Sequence, residues 1–206
     1  MRGAYDTVAR DYTARFGDDL AVLPVDRAFL DDALAVAGTE GWTVDLGCGP
    51  APSAGYLAGR VPHLLGVDLS PAMLAEAGAR IPSLARLQAD LRALPVADGA
   101  CALVVASYSL QHVPRSDLGG ALRELRRVIR PEGWLLVATH LGEGDVHIDE
   151  FLGHPIATLG GAFYRRDELL DLLGAAGFRV REERQREPLP HEVASRRIYL
   201  LAQRTN

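Results

Sequence analysis

TVDLGCGPAPSAGYLAGR, residues 43–60, is the stretch whose reading decides the fold. An apolar run leads into paired glycines, and a helical pattern leads out. Strand, glycine turn and helix together form a common cradle for nucleotides. Gly47 and Gly49 suit the start of G-x-G-x-x-G, but Pro52 stands where the third glycine would be. Pro50 and Pro52 have no N–H to give a phosphate, and Asp45 at the strand end would repel one. A ligand with a cationic amine and no phosphate reverses both objections.

Outward from this turn, strand and helix patterns alternate. Strands are predicted over 42–46, 63–67, 84–88, 101–106 and 134–139. The fourth, CALVVA, is continuously apolar, as a central parallel strand covered on both faces should be. Tyr5, Val8, Ala9, Tyr12 and Phe16 fall on one face of a leading helix, and a second helix spans 26–37 before Gly38. Ser53 is the expected cap after the glycine turn. Ser70-Pro71 caps a helix carrying Met73, Leu74 and Ala77. Leu118, Ala121, Leu122, Leu125, Val128 and Ile129 stripe another, capped by Ser116 or Asp117 and stopped by Pro131-Glu-Gly. This alternation predicts an open parallel sheet with right-handed crossovers.

The last third reads differently. A loop over 141–163 precedes a helix over 167–176, ended by Gly177. Strands over 178–186 and 195–203 have no helix between them, which predicts an antiparallel pair at a sheet edge. RVREERQR alternates charges there, the usual protection of an edge strand. No repeat or domain boundary interrupts the chain. The expectation is one domain over 1–206: a helical segment 1–38, a core 42–140, and a final part 141–206.

Composition narrows the chemistry. Of 206 residues 48% are apolar, enough for a sizeable core. No apolar run nears the ~20 residues of a membrane span, and MRGAYDTVARDY has no apolar signal region. These features predict a soluble cytoplasmic protein without a membrane partner. Cys48 and Cys101 are too few for a disulfide framework and lack metal-ligand spacing. A net charge of −5 speaks against a broad nucleic-acid surface. All 22 basic residues are arginine, which excludes Schiff-base lysines, the phosphate-loop lysine and a Tyr-x-x-x-Lys dyad. Asn206 is the one asparagine, so an Asn-Pro-Pro-Tyr site for base amino groups is missing too. An Ala-, Gly- and Arg-rich, Lys-free chain is what a GC-rich bacterial genome produces.

In an open α/β sheet the ligand lies at the carboxyl ends of the strands. That rule gathers residues 45–53, 68–73, 90–91 and 107–112 around one crevice. Asp68, at the second strand end, can accept both hydroxyls of a ribose, and Asp90, after the third, can accept from an adenine amino group. Met73 and Leu91 could sandwich the ring. Each acid alone could be a cap or a strand end; in series they describe an adenosine with a free amine.

VDLGCGP, then GVDLSPAML, QADLRALPVADGACALVVASYSLQHV and RVIRPEGWLLVATH, resembles the class I S-adenosylmethionine-dependent methyltransferases over roughly residues 5 to 140. FYRRDELLDLLGAAGFRV resembles their usual finish more loosely. The resemblance implies a Rossmann-like, seven-stranded, mostly parallel sheet with helices on both faces and an antiparallel C-terminal strand pair. It implies S-adenosylmethionine as cofactor, S-adenosylhomocysteine as product, and a small-molecule acceptor.

The turn (Gly47, Cys48, Gly49) would wrap the methionine part, with Asp45 near the amine. Asp68 and Leu69 would meet the ribose, Asp90 and Leu91 the adenine, and Met73 and Ser107 complete the set. Tyr5 and Tyr12 look like an N-terminal lid; they could equally just fill the core. Ala51 departs from the glycine common at that place in the family, and a positive φ there would strain it.

Methyl transfer needs mostly in-line alignment, with proton removal for some acceptors. His112 is the best-placed candidate base, although a histidine at a helix end bonded to backbone is the slightly stronger reading of it, and His140 is the second candidate. His147, Asp149 and His154 lie in the loop expected to wall the acceptor pocket. HLGEGDVHIDE has irregular spacings, so no metal site is expected. The other readings are a nicotinamide-dependent oxidoreductase and a cofactor-binding protein without catalysis. The acceptor atom and the oligomeric state stay open.

Overall fold

The computed structural model describes residues 2–38, 40–190 and 192–206. In chain order the strands are β1 (Trp42–Leu46), β2 (Leu64–Asp68), β3 (Ala85–Gln88), β4 (Cys101–Ser107), β5 (Ile129–His140), β6 (Asp145–Phe151), β7 (His154–Ala162), β8 (Phe178–Arg186) and β9 (Arg197–Arg204). The helices are α1 (Arg2–Phe16), α2 (Pro24–Ala37), α3 (Pro52–Leu57), α4 (Pro71–Arg80), α5 (Arg115–Val128) and α6 (Arg166–Ala175). Seven strands form one sheet in the order β3-β2-β1-β4-β5-β9-β8. β9 runs antiparallel to both β5 and β8, and the other pairs are parallel. The expected Rossmann-like sheet with its antiparallel terminal pair is the one that forms.

Strand periodicity builds a core on each face. Val104 and Ala106 of β4, Leu135 and Val137 of β5, and Leu200 of β9 point one way, onto the apolar stripe of α5 and onto α6. Leu103 and Val105, Leu136 and Ala138, and Tyr199 and Leu201 point the other way, onto Phe29, Leu30 and Ala33 of α2. Burying a leucine as fully as Leu103 or Leu125 contributes ~1.5–3 kcal/mol. The order of strands reverses between β1 and β4, which opens a crevice at their carboxyl ends. Among the described residues no helix is long and apolar enough to cross a membrane.

Helix starts follow the sequence at α4, where Ser70 Oγ accepts the Met73 N–H at 3.1 Å. They depart from it elsewhere. Ser53 does not cap α3: the chain enters it through Ala51 in the left-handed region, with Pro52 as the first helical residue. Neither Ser116 nor Asp117 caps α5, because the helix begins two to three residues earlier behind Pro114, and Asp117 pairs with Arg92 instead. Pro131-Glu-Gly does not stop that helix. α5 already ends at Val128, and the tripeptide lies inside β5, where Glu132 takes a φ of 60° and the pairing with β4 shifts register.

The largest departure is residues 141–163, expected as a loop. They fold mainly as the antiparallel hairpin β6–β7. Phe151 pairs with His154 across a two-residue turn in which Leu152 and Gly153 have φ of 53° and 78°. Two positive φ values are the turn geometry that matches strand twist. Leu-Gly is not the usual signal for it, and β6 is mostly exposed, with only Val146 and Ile148 alternating before the register shifts between Ile148 and Glu150.

Candidate active site

β1 ends at Leu46, and Gly47 turns the chain with a φ of 69°. A Cβ on Gly47 would lie 2.4 Å from that of Ser109, so close approach to the β4 tip also requires glycine here. The turn uses up its own donors. Gly47 and Cys48 donate N–H groups to the Val67 carbonyl, and Ala51 to that of Cys48. Gly49 N–H donates to Asp68 Oδ2 at 2.8 Å, and Ala54 N–H to Asp45 Oδ2 at 2.9 Å. With prolines at 50 and 52, the turn keeps no fan of free N–H groups for a phosphate.

All fourteen residues named from the sequence as cofactor-binding or catalytic line one cavity of about 560 Å³ above the carboxyl ends of the sheet. That volume lies within the ~300–1,000 Å³ usual for small-molecule sites. Asp45 is 2% exposed, and burial lifts its carboxyl to about 7. Burial also raises Asp68, whose Oδ1 accepts the Ser70 N–H at 2.8 Å; each of its oxygens keeps a second lone pair for a ligand. Met73 is buried at the start of α4. Asp90 differs from the other two acids. Arg92 grips it through Nε and Nη2, holding its carboxyl below the usual range, and the pair is partly exposed.

The outer wall of the cavity has two parts. Tyr5 and Tyr12 of α1 meet edge to face at 5.8 Å, and Phe151 of the hairpin meets both, at 6.5 and 6.1 Å. His154 of β7 bonds Asp11 of α1 through Nε2 at 2.6 Å. Phe151 was not legible beforehand, because only pairing of β6 with β7 brings it over the cavity. Burial holds Tyr12 up at about 12 and Tyr5 well above its usual value, so both are neutral phenols.

His112 sits in the 3-10 turn after β4. Its Nδ1 lies 2.9 Å from the Gly160 carbonyl, which can only accept, so Nδ1 carries the proton. Nε2 therefore presents its lone pair and accepts the Tyr5 hydroxyl at 2.8 Å. Burial lowers the basicity of the ring. His112 thus ties α1, the β4 tip and β7 together, and it is bonded to backbone as well as facing the cavity. His140 ends β5, bonded through Nδ1 to Ser195 Oγ at 2.7 Å, and burial lowers it to about 4. His147 and Asp149 lie on β6, and among the described residues no metal-binding cluster occurs.

Sequence reasoning did not anticipate the cavity wall built by Tyr108, Tyr199 and Arg197. Tyr108 holds a left-handed φ of 53° and packs its ring 5.3 Å from that of His140. Tyr199 donates to buried Asp26 at 2.9 Å. These residues come from β9, α2 and a strained turn, and no local pattern links them.

The Methyltransferase domain family matches residues 44–137, from β1 to β5. Demethylmenaquinone methyltransferase of Beutenbergia cavernae is 35% identical over 140 residues, 67% of this chain and 57% of that protein. Trans-aconitate 2-methyltransferase of Methylobacterium nodulans is 42% identical over 99 residues, 46% of this chain and 36% of that protein. The chain thus spans about half or less of the length of these curated relatives. A solved S-adenosylmethionine-dependent methyltransferase from Clostridium acetobutylicum superposes with a TM-score of 0.71 at 16% identity, over 98% of this chain and 99% of that one; this is a likeness of fold. Strand order, glycine turn and domain match agree: residues 44–137 carry a Methyltransferase domain, and the fold is similar to that of the S-adenosylmethionine-dependent methyltransferases.

Proposed function

We propose that this protein transfers the methyl group of S-adenosylmethionine to a small-molecule acceptor, mainly by aligning the two. The observation that carries this reading is the set of three carboxyl groups, Asp45, Asp68 and Asp90, around one cavity whose glycine turn has spent its N–H groups. A pyrophosphate would find the N–H groups of the glycine turn already spent, whereas a ligand with an amine, a ribose and an adenine finds an acceptor for each. When bound, S-adenosylmethionine supplies a sulfonium-activated methyl group, and transfer makes one bond to the acceptor while the carbon–sulfur pair of electrons stays on sulfur.

This chain's residues bind, orient and shield. Asp68, fixed by two backbone N–H groups, is set to accept the ribose hydroxyls, with Leu69 beside it. Asp45 faces the amine and is ionised by its arrival. Asp90, tethered to Arg92, is left to meet the adenine amino group at the cavity's open side, with Met73 and Leu91 about the ring. Gly47, Cys48, Gly49 and Ser107 form the floor, and Tyr5 and Tyr12 the roof. Alignment dominates because neither histidine is a strong base. For a protic acceptor, Nε2 of His112 is the atom that would take the proton, in place of the Tyr5 hydroxyl. A cytoplasmic setting fits the two cysteines, both free and buried. The net charge of −5 supports a small molecule over nucleic acid.

Calorimetric titration tests the reading. S-adenosylhomocysteine binds one-to-one and more tightly than NADH or NADPH, and Asp68→Ala weakens it by ~100-fold, the worth of two charge-assisted hydrogen bonds. Tighter nicotinamide binding, or near-normal affinity in the variant, would overturn it.

A further inference from the structure

We propose that the end of the cavity at the tips of β5 and β9 is an anion subsite, in which the Arg197 guanidinium, through its Nε–H, holds a carboxylate of the methyl acceptor. This rests on the methyl-transfer reading and adds the acceptor's chemical class to it. The cavity has two electrostatically different ends. From the β2 tip, with Asp68, to the β5 tip, with His140, is three strand spacings, ~14 Å. Asp45, Asp68 and Asp90 stand at the first end. At the second, His140 pairs in register with Arg197.

Arg197 is 3% exposed, lines the cavity, and its Nε has no hydrogen-bond partner. A buried N–H of a charged group left unbonded is costly, and natural proteins leave few. The other guanidinium edge is committed: Nη1 donates to the carbonyls of Val193 and Ser195. The carboxylate it meets is Glu192, 3.5 Å from Nη2. The Glu192 oxygen nearest Arg197, Oε2, is already saturated, accepting Arg186 Nη1 at 2.6 Å and the Leu189 N–H at 2.7 Å, while Oε1 accepts Arg186 Nη2 at 2.7 Å. Asp26, the remaining acid of this network, lies 3.6 Å from Arg186 and accepts the Tyr199 hydroxyl. Arg186 thus has carboxylates on both sides, while Arg197 shares Glu192 with it and keeps one N–H donor without a partner.

The surroundings describe the ligand's body. The rings of Tyr108 and Phe163 flank His140 at 5.3 and 5.7 Å, a shelf for a flat apolar group behind the carboxylate. A neutral amide of the same shape would place an NH₂ group or a weaker acceptor before the guanidinium and lose the charge-assisted bond.

Benzoate and benzamide are the probes. Each is titrated calorimetrically into the protein saturated with S-adenosylhomocysteine, and into Arg197→Gln prepared in the same way. Benzoate binds at least tenfold more tightly than benzamide to the wild type, and Arg197→Gln erases that preference while S-adenosylhomocysteine affinity stays within threefold. Where Arg197→Gln fails to fold, as judged by circular dichroism, the wild-type comparison decides, together with movement of an arginine Nε–H resonance on adding benzoate but not benzamide. Equal binding of the two probes, no binding of either, or a preference that survives in folded Arg197→Gln overturns the subsite. Absence of S-adenosylhomocysteine binding is a separate result: it overturns the methyl-transfer reading, and the same probe comparison on the free protein then judges the subsite alone.

Discussion

Asp45→Asn should make the ligand-free protein more stable at alkaline pH and a poorer cofactor binder. The carboxyl is buried beneath the glycine turn, with one protein hydrogen bond, from the Ala54 N–H, to support its charge. Desolvation is the main cause that lifts it from 3.8 to about 7, and the charge of Asp68 adds to this. The native state therefore holds a proton between about pH 4 and 7 that the unfolded chain has released. Stability from this group is complete below about 3.8 and is lost as pH rises through about 7. At ~1.4 kcal/mol per tenfold, ionising it in place costs the native state up to ~4 kcal/mol at pH 8.

Asparagine keeps an oxygen for the Ala54 N–H and removes the charge, though its NH₂ group then lacks a partner. A net gain of ~1–3 kcal/mol at pH 8 results, with none at pH 4.5. Urea unfolding of ligand-free protein followed by circular dichroism measures it. The same substitution abolishes the rise of S-adenosylhomocysteine affinity with pH, which in the wild type climbs from pH 5.5 and levels above about 7. A variant less stable than wild type at pH 8, or an equal difference at both pH values, would refute this account of Asp45.

Three further outcomes follow from the same geometry. Ala51→Gly relieves a left-handed residue at φ 66°, ψ 46°; set against the greater freedom of glycine when unfolded, it gains ~0.5–1 kcal/mol in urea unfolding, and a loss would show that the Ala51 methyl, buried in the core, matters more. Gly47→Ala drives a Cβ to 2.4 Å from Ser109 at φ 69°; it costs ~2–4 kcal/mol and lowers Tm, whereas wild-type stability would mean that the β4 tip yields freely. Tyr5→Phe removes the hydroxyl that donates to Nε2 of His112 and frees that lone pair, so the His112 titration seen by NMR moves up while burial still holds it below its usual value, and an unmoved titration would sever the link between Tyr5 and the histidine.

The cofactor side of this protein was legible in its sequence because its determinants are local. A strand, a turn and the acid that ends the strand are neighbours in the chain, so Asp45, Asp68 and Asp90 could each be placed by counting from an apolar run. The parallel sheet made the rest automatic, since it delivers every strand's carboxyl end to the same side. The prolines of the turn were also readable as chemistry: they remove donors whatever the tertiary structure. Ala51 was recognised as the doubtful residue, and its left-handed conformation bears out that suspicion.

The other side of the cavity was decided only by the tertiary structure. The hairpin β6–β7 has a mostly exposed first strand, a register shift and an atypical turn, so its pairing, and with it the place of Phe151 over Tyr5 and Tyr12, has only a weak local signature. Nothing near His112 in sequence announces that Tyr5 and Gly160 would take its two nitrogens. Arg197 reads in the chain as one more edge-strand arginine; antiparallel pairing with β5 sets it beside His140 and buries it in the cavity wall. Local chemistry could therefore say which residues the parallel sheet gathers at the cavity. The wall facing the acceptor is assembled from segments far apart in the chain, and their meeting is set by long-range packing.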